Sequence, residues 1–218
     1  MPYSPLKQNL PCLPRHGRHI IKQKEKTMKM IESFKSAYKI SMPLSGIAAS
    51  WFEHDKNKFA FLDYDVKKGF KWNMKFYSDE AKKDVLIEAD QQKLSALAGQ
   101  SGYVFKAAKS GEELGVWVPQ KRFLNIFLRA PYKLVVGGQV VATSPGDGFF
   151  KLLIPGAVRK MMARKVLTAD GKSVAKITAQ STLGCGVVNV KPEGGTIADN
   201  KLAVAVAVLA AICGLQDV

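Results

Sequence analysis

Short runs in which apolar and polar positions alternate dominate the chain from about Lys39 onward. KWNMKFY, DVLIEA, YVFKAA, LGVWVP, YKLVV, QVVATS, ARKVLTA and KSVAKITAQ are all rich in Val, Ile, Tyr, Phe or Trp. Turn-forming residues join them in pairs: Ser78-Asp79-Glu80, Lys109-Ser110-Gly111, Gly137-Gly138 and Asp170-Gly171. Runs of this composition around such turns predict β-hairpins. The turns recur about every thirty residues, each followed by an apolar run such as Val116-Trp117-Val118, a weak repeat of hairpin units. Helix signals are rarer. Gln91–Gly99 reads as a helical turn or a connection, and Pro155–Val166, with its proline and glycine, as an irregular loop.

The closing segment breaks the pattern. From Leu202 to Leu215 fourteen positions carry no charged or hydrogen-bonding polar side chain. That is long for a strand, usually about five or six residues, and the alternation fails after Val208. Asp199 and Asn200 are preferred N-cap residues and Gly214 stands where a C-terminal cap is expected, so a helix over about 200–214 is predicted. At about 1.5 Å per residue it reaches about 21 Å, short of a bilayer core of about 30 Å. A helix apolar on every face has to be surrounded by protein instead. The hairpins supply the surroundings, because a closed sheet of about eleven or twelve strands is wide enough to hold a helix. The expected fold is therefore mainly β: a closed antiparallel β-barrel of about twelve strands around a buried C-terminal helix.

Residues 1–27 differ from the rest. Pro2, Pro5, Pro11 and Pro14 interrupt them, and little apolar periodicity is visible, so a disordered basic arm is expected ahead of a single barrel domain over 28–218. The arm lacks the apolar run of a secretory signal. A mitochondrial presequence stays open because no acid precedes Glu25, and Met28 is an alternative start. Cys12, Cys185 and Cys213 are odd in number and widely spaced, which gives neither a disulfide framework nor a zinc site. A reducing, cytoplasmic setting with peripheral membrane contact is the expectation. Cys213 reads as a core residue; Cys185, between two glycines, leaves a reactive thiol open.

The net charge of +15 implies an acidic partner: membrane surface, nucleic acid or acidic protein. Candidate chemistry is sparse. There is no GxSxG elbow, P-loop, GxGxxG or HExxH. His54 reads as a surface turn residue. Asp63 and Asp65 do not complete a calcium loop and read as a solvated edge strand. A non-enzymatic role without a cofactor is expected. Two basic stretches carry the remaining signal. QKRFLNIFLR mixes Lys121, Arg122 and Arg129 with Phe123, Ile126 and Phe127, and VRKMMARKV mixes Arg159, Lys160, Arg164 and Lys165 with Met161 and Met162. Cations beside apolar side chains suit an anionic lipid surface, each worth about 1 kcal/mol there. The alternative is that their aromatics face the core and their charges face water.

The hairpins YKLVVGGQVVATS and KVLTADGKSVAKITAQ, together with GGTIADNKLAVAVAVLAAICGL, resemble the tubby C-terminal-like superfamily, which includes phospholipid scramblases and LURP-one-related proteins. The resemblance runs from about Lys39 to the end. It implies a barrel plugged by its last helix and a module that docks on anionic phospholipid or phosphoinositide surfaces. Asp199 stands almost alone before the helix, so calcium binding is not carried over, nor are the palmitoylated cysteines of scramblases or the phosphoinositide-binding pattern of tubby proteins. A second reading is a structural subunit whose basic arm contacts RNA or protein.

Overall fold

The computed structural model describes residues 15–43, 50–67, 71–94, 101–120, 128–147, 153–154, 162–182 and 185–217. After a helix α1 (Arg15–Lys35) come twelve strands. They are β1 (Tyr38–Pro43), β2 (Ser50–His54), β3 (Asn57–Lys67), β4 (Lys71–Tyr77), β5 (Val85–Lys93) and β6 (Ser101–Ala107). β7 (Glu113–Pro119), β8 (Tyr132–Val136), β9 (Gln139–Ser144), β10 (Arg164–Thr168), β11 (Ser173–Thr182) and β12 (Cys185–Pro192) follow, and helix α2 (Asn200–Asp217) ends the chain. Each strand pairs antiparallel with its sequence neighbour, and β1 pairs with β12, so the barrel closes.

All four turns read from the sequence join neighbouring strands. Gly137 and Gly138 have φ of 57° and 81°, the mirror-image two-residue geometry that fits the right-handed twist of the flanking strands. A fifth turn, Asp55-Lys56, stands beside His54, expected as a turn residue, and takes positive φ (47° and 65°) without glycine.

Alternation then fills the lumen. Ile40, Phe52, Leu62, Phe76, Phe105, Trp117, Leu134, Ile177 and Val188 point inward and are buried. α2 runs among them, and every residue from Ala203 to Cys213 is at most 2% exposed. Alanine on much of its surface lets the helix fit inside a ring of larger wall side chains. Asp199 caps it as expected, its Oδ1 accepting from Leu202 N at 2.7 Å. In the wall, Trp117 donates its indole N–H to Ala205 O at 2.7 Å, which ties strand β7 to the helix. No helix among the described residues is long and apolar enough to cross a membrane.

Two expectations are corrected. Gly214 does not cap the helix, which continues to Asp217. Its role is close approach: an added Cβ would run into Met42 Sδ and lie 3.0 Å from Val188 Cγ2. Gly214→Ala should therefore destabilise the fold by about 1–3 kcal/mol in urea unfolding, although helix propensity alone favours alanine. The arm of residues 1–27 is also helical from Arg15 onward; residues 1–14 lie outside the described residues. All four prolines precede Arg15, so none interrupts the helix. Met30 and Phe34, one turn apart, are buried, and Phe34 packs edge-on against Phe52 and Phe59. α1 thereby covers the barrel end where α2 begins, and Lys26 reaches Asp79 and Asp84 in the β4–β5 connection.

Candidate functional site

The barrel has two unlike ends. α1 covers one. At the other, where the last turn of α2 meets Met42 and Val188, the chain leaves β7 and β9 and re-enters at β8 and β10. The two basic stretches of the sequence fall in these connections, and a charged clasp fastens their ends.

Arg129 and Asp147 form the clasp. The guanidinium donates from Nη2 to Asp147 Oδ1 at 3.0 Å and from Nε to Oδ2 at 3.1 Å, with the side chains 10% and 2% exposed. The backbones join too: Asp147 N donates to Arg129 O at 3.1 Å. Gly146 makes the approach possible, because a Cβ there would collide with Arg129 O and Pro131 N. Arg129 Nη1 also donates to Met162 O at 2.9 Å, drawing in the end of the second stretch. Arg164 completes the joint, donating from Nη1 to Ala130 O at 2.9 Å with its guanidinium over the Tyr132 ring. Charge-assisted bonds of this kind, shielded from water, are among the stronger ones in proteins.

The seven basic residues singled out in the sequence are thus not equivalent. Arg129 and Arg164, expected on a lipid-facing rim, are turned inward and engaged with Asp147, Met162 and Ala130; this is a correction. Arg164 is 4% exposed because it starts β10 at an inward position, where alternation gives Arg164 and Val166 the same face. Lys165, between them, faces solvent. Lys121, Arg122, Arg159 and Lys160 lie outside the described residues. Leu153, in the β9–β10 connection, is 85% exposed, the most exposed large apolar side chain among the described residues.

Elsewhere the geometry is quieter. His54 ends β2, with Nδ1 2.5 Å from Ala37 O and Nε2 3.1 Å from Asp55. Asp63 and Asp65 alternate outward on β3, which is an interior strand of the closed sheet and not an edge, and Asp63 pairs with Lys82 at 3.0 Å. Cys213 is buried in α2, and the side chain of Cys185 lies outside the described ones. A cleft of about 580 Å³ between α1 and the β2–β3 hairpin is bordered by Lys26, Lys29, Lys58 and His54.

Sequence reasoning missed Asp147 and a row of lysines on the barrel wall. Asp147 had a signal: it is the only acid between Glu113 and Asp170. The row is Lys165, Lys176 and Lys191, which stand directly opposite one another on β10, β11 and β12. All three are exposed, and one acid answers them: Glu193, paired with Lys176, whose ammonium holds the Glu193 carboxyl below its usual range. No family model, curated protein or solved structure matches the chain.

Proposed function

We propose that this protein is a non-enzymatic module that docks on anionic phospholipid surfaces through the barrel end opposite α1. The observation that carries the reading is the Arg129–Asp147 clasp, which brings the ends of two basic, apolar-rich connections to one place. In sequence those connections contain the cations Lys121, Arg122, Arg159 and Lys160 and the apolar residues Phe123, Phe127, Leu153 and Met161. That combination suits the boundary between headgroups and acyl chains. The resemblance to tubby-like and scramblase proteins points the same way. α2 occupies the barrel interior, so the reading places the ligand outside, at the rim. A peripheral position on a cytoplasmic membrane face goes with it.

The test replaces Lys121, Arg122, Arg159 and Lys160 by glutamine in the full chain and measures co-sedimentation with phosphatidylserine-containing vesicles. At about 1 kcal/mol for each cation near the surface, the four together contribute about 4 kcal/mol, on the order of a thousandfold in partitioning. Wild-type protein should bind anionic vesicles, release them as salt rises and ignore neutral ones. Unchanged binding by the four-residue variant would sink the proposal.

A further inference from the structure

The lysine row starts at Lys165, next to the clasp residue Arg164, and runs round the barrel wall across β11 to Lys191 on β12. Lys165 stands opposite Lys176 and Lys176 opposite Lys191, so three ammonium groups cross three neighbouring strands. At about 4.8 Å between strands the row spans about 10 Å. Like charges directly opposite one another are unfavourable in an isolated sheet; Glu193 answers Lys176, and an external anion relieves the charge that is left. The surroundings extend the pattern. The strands β8 to β12 contain no Asp or Glu at all, whereas β3, β5 and β7 carry Asp63, Asp65, Glu88, Asp90 and Glu113. Lys133 on β8 and Lys39 on β1, the latter paired with Glu53 at 3.0 Å, flank the row, and Thr143, Thr178 and Asn189 alternate outward beside it. Hydroxyl and amide side chains beside lysine are the groups that hold phosphate oxygens.

The shape narrows the partner. Lys191 lies six residues along β12 from Cys185. At about 3.3 Å per residue that is about 20 Å up the wall from the β11–β12 hairpin, so a flat membrane under the docking end reaches Lys165 beside the clasp but not the whole row. A closed barrel offers no free edge to an acidic peptide adding as a strand. The only aromatic in β8 to β12, Tyr132, is buried, so the face carries no platform for stacking unpaired bases. We propose that the outer wall of β8 to β12 binds the phosphate backbone of double-stranded nucleic acid without regard to sequence.

The experiment follows fluorescence anisotropy of a labelled mixed-sequence DNA duplex with the full-length protein across a potassium chloride series. The comparison is Lys165→Gln/Lys176→Gln/Lys191→Gln. Wild-type protein should bind at low salt, and the triple variant should bind at least tenfold more weakly. Its slope of log affinity against log salt should be shallower by about 2 to 3, at about 0.9 per phosphate contact. The triple arginine variant keeps the charge and should keep the binding. Relief of like-charge repulsion offsets the loss of the exposed Lys176–Glu193 pair, so the glutamine variant should melt close to wild type, which separates lost contact from lost fold. Its binding to anionic vesicles should fall far less than that of the Lys121, Arg122, Arg159 and Lys160 variant, because only Lys165 adjoins the docking end. The proposal is overturned by absence of duplex binding, by an unchanged slope in the triple variant, or by equally tight binding of polyglutamate at matched charge.

Discussion

Trp117→Ala should lower the free energy of unfolding by about 3–5 kcal/mol, read as a fall in the urea midpoint with little change in slope. Trp117 is wholly buried, the largest fully buried side chain in the barrel, and its indole nitrogen is bonded to Ala205 O. Truncation removes both the bond and the volume between wall and helix. The rest of the lumen cannot close over the gap, because the β-ring holds its circumference through twelve paired strands. Trp117→Phe separates the contributions, keeping most of the volume and losing the bond, and should cost less than half as much. A fold in which α2 lay outside the barrel would show only a small loss for either substitution.

The second large effect is at the clasp. Asp147→Ala leaves the Arg129 guanidinium, 10% exposed, without its carboxylate. Breaking a buried pair on one side costs about 3–5 kcal/mol, because the surviving charge is stranded away from water. Replacing both partners by apolar residues, as in Arg129→Met/Asp147→Leu, should cost less than Asp147→Ala alone. In function the two variants should agree. Vesicle binding should fall in both, since both release the ends of the connections, although Lys121, Arg122, Arg159 and Lys160 are all still present. Thermal melting followed by circular dichroism, with co-sedimentation of the same samples, checks both halves.

The fold was largely legible in the chain because two periodicities agree. Strand-length alternation punctuated by Asp170-Gly171 and Gly137-Gly138 defines hairpins, and an uncharged run after a capping Asp199 needs a closed sheet around it. The start of the chain was misread for a physical reason. Its charge and four prolines hide an amphipathic pattern that rests on two large apolar residues, Met30 and Phe34, four positions apart. Site residues were harder. Arg129 and Arg164 look like surface cations in sequence, and only the alternation of β10 and the acid eighteen residues away turn them inward. The lysine row was accessible in part. A hairpin closed at Asp170-Gly171 brings Lys165 and Lys176 together, but Lys191 joins them only when β12 is paired with β11.

Orientation on the membrane is the central claim, and one measurement addresses it directly. With Cys12 and Cys185 replaced by serine, an environment-sensitive fluorophore is attached at Leu153→Cys or, at the opposite end of the barrel, at the exposed Gln139→Cys. On adding phosphatidylserine-containing vesicles at low salt, the emission at position 153 should shift to the blue and become shielded from aqueous quencher, while position 139 stays exposed. A shift at position 139 instead, or no shift at either position, would contradict docking through the clasped end.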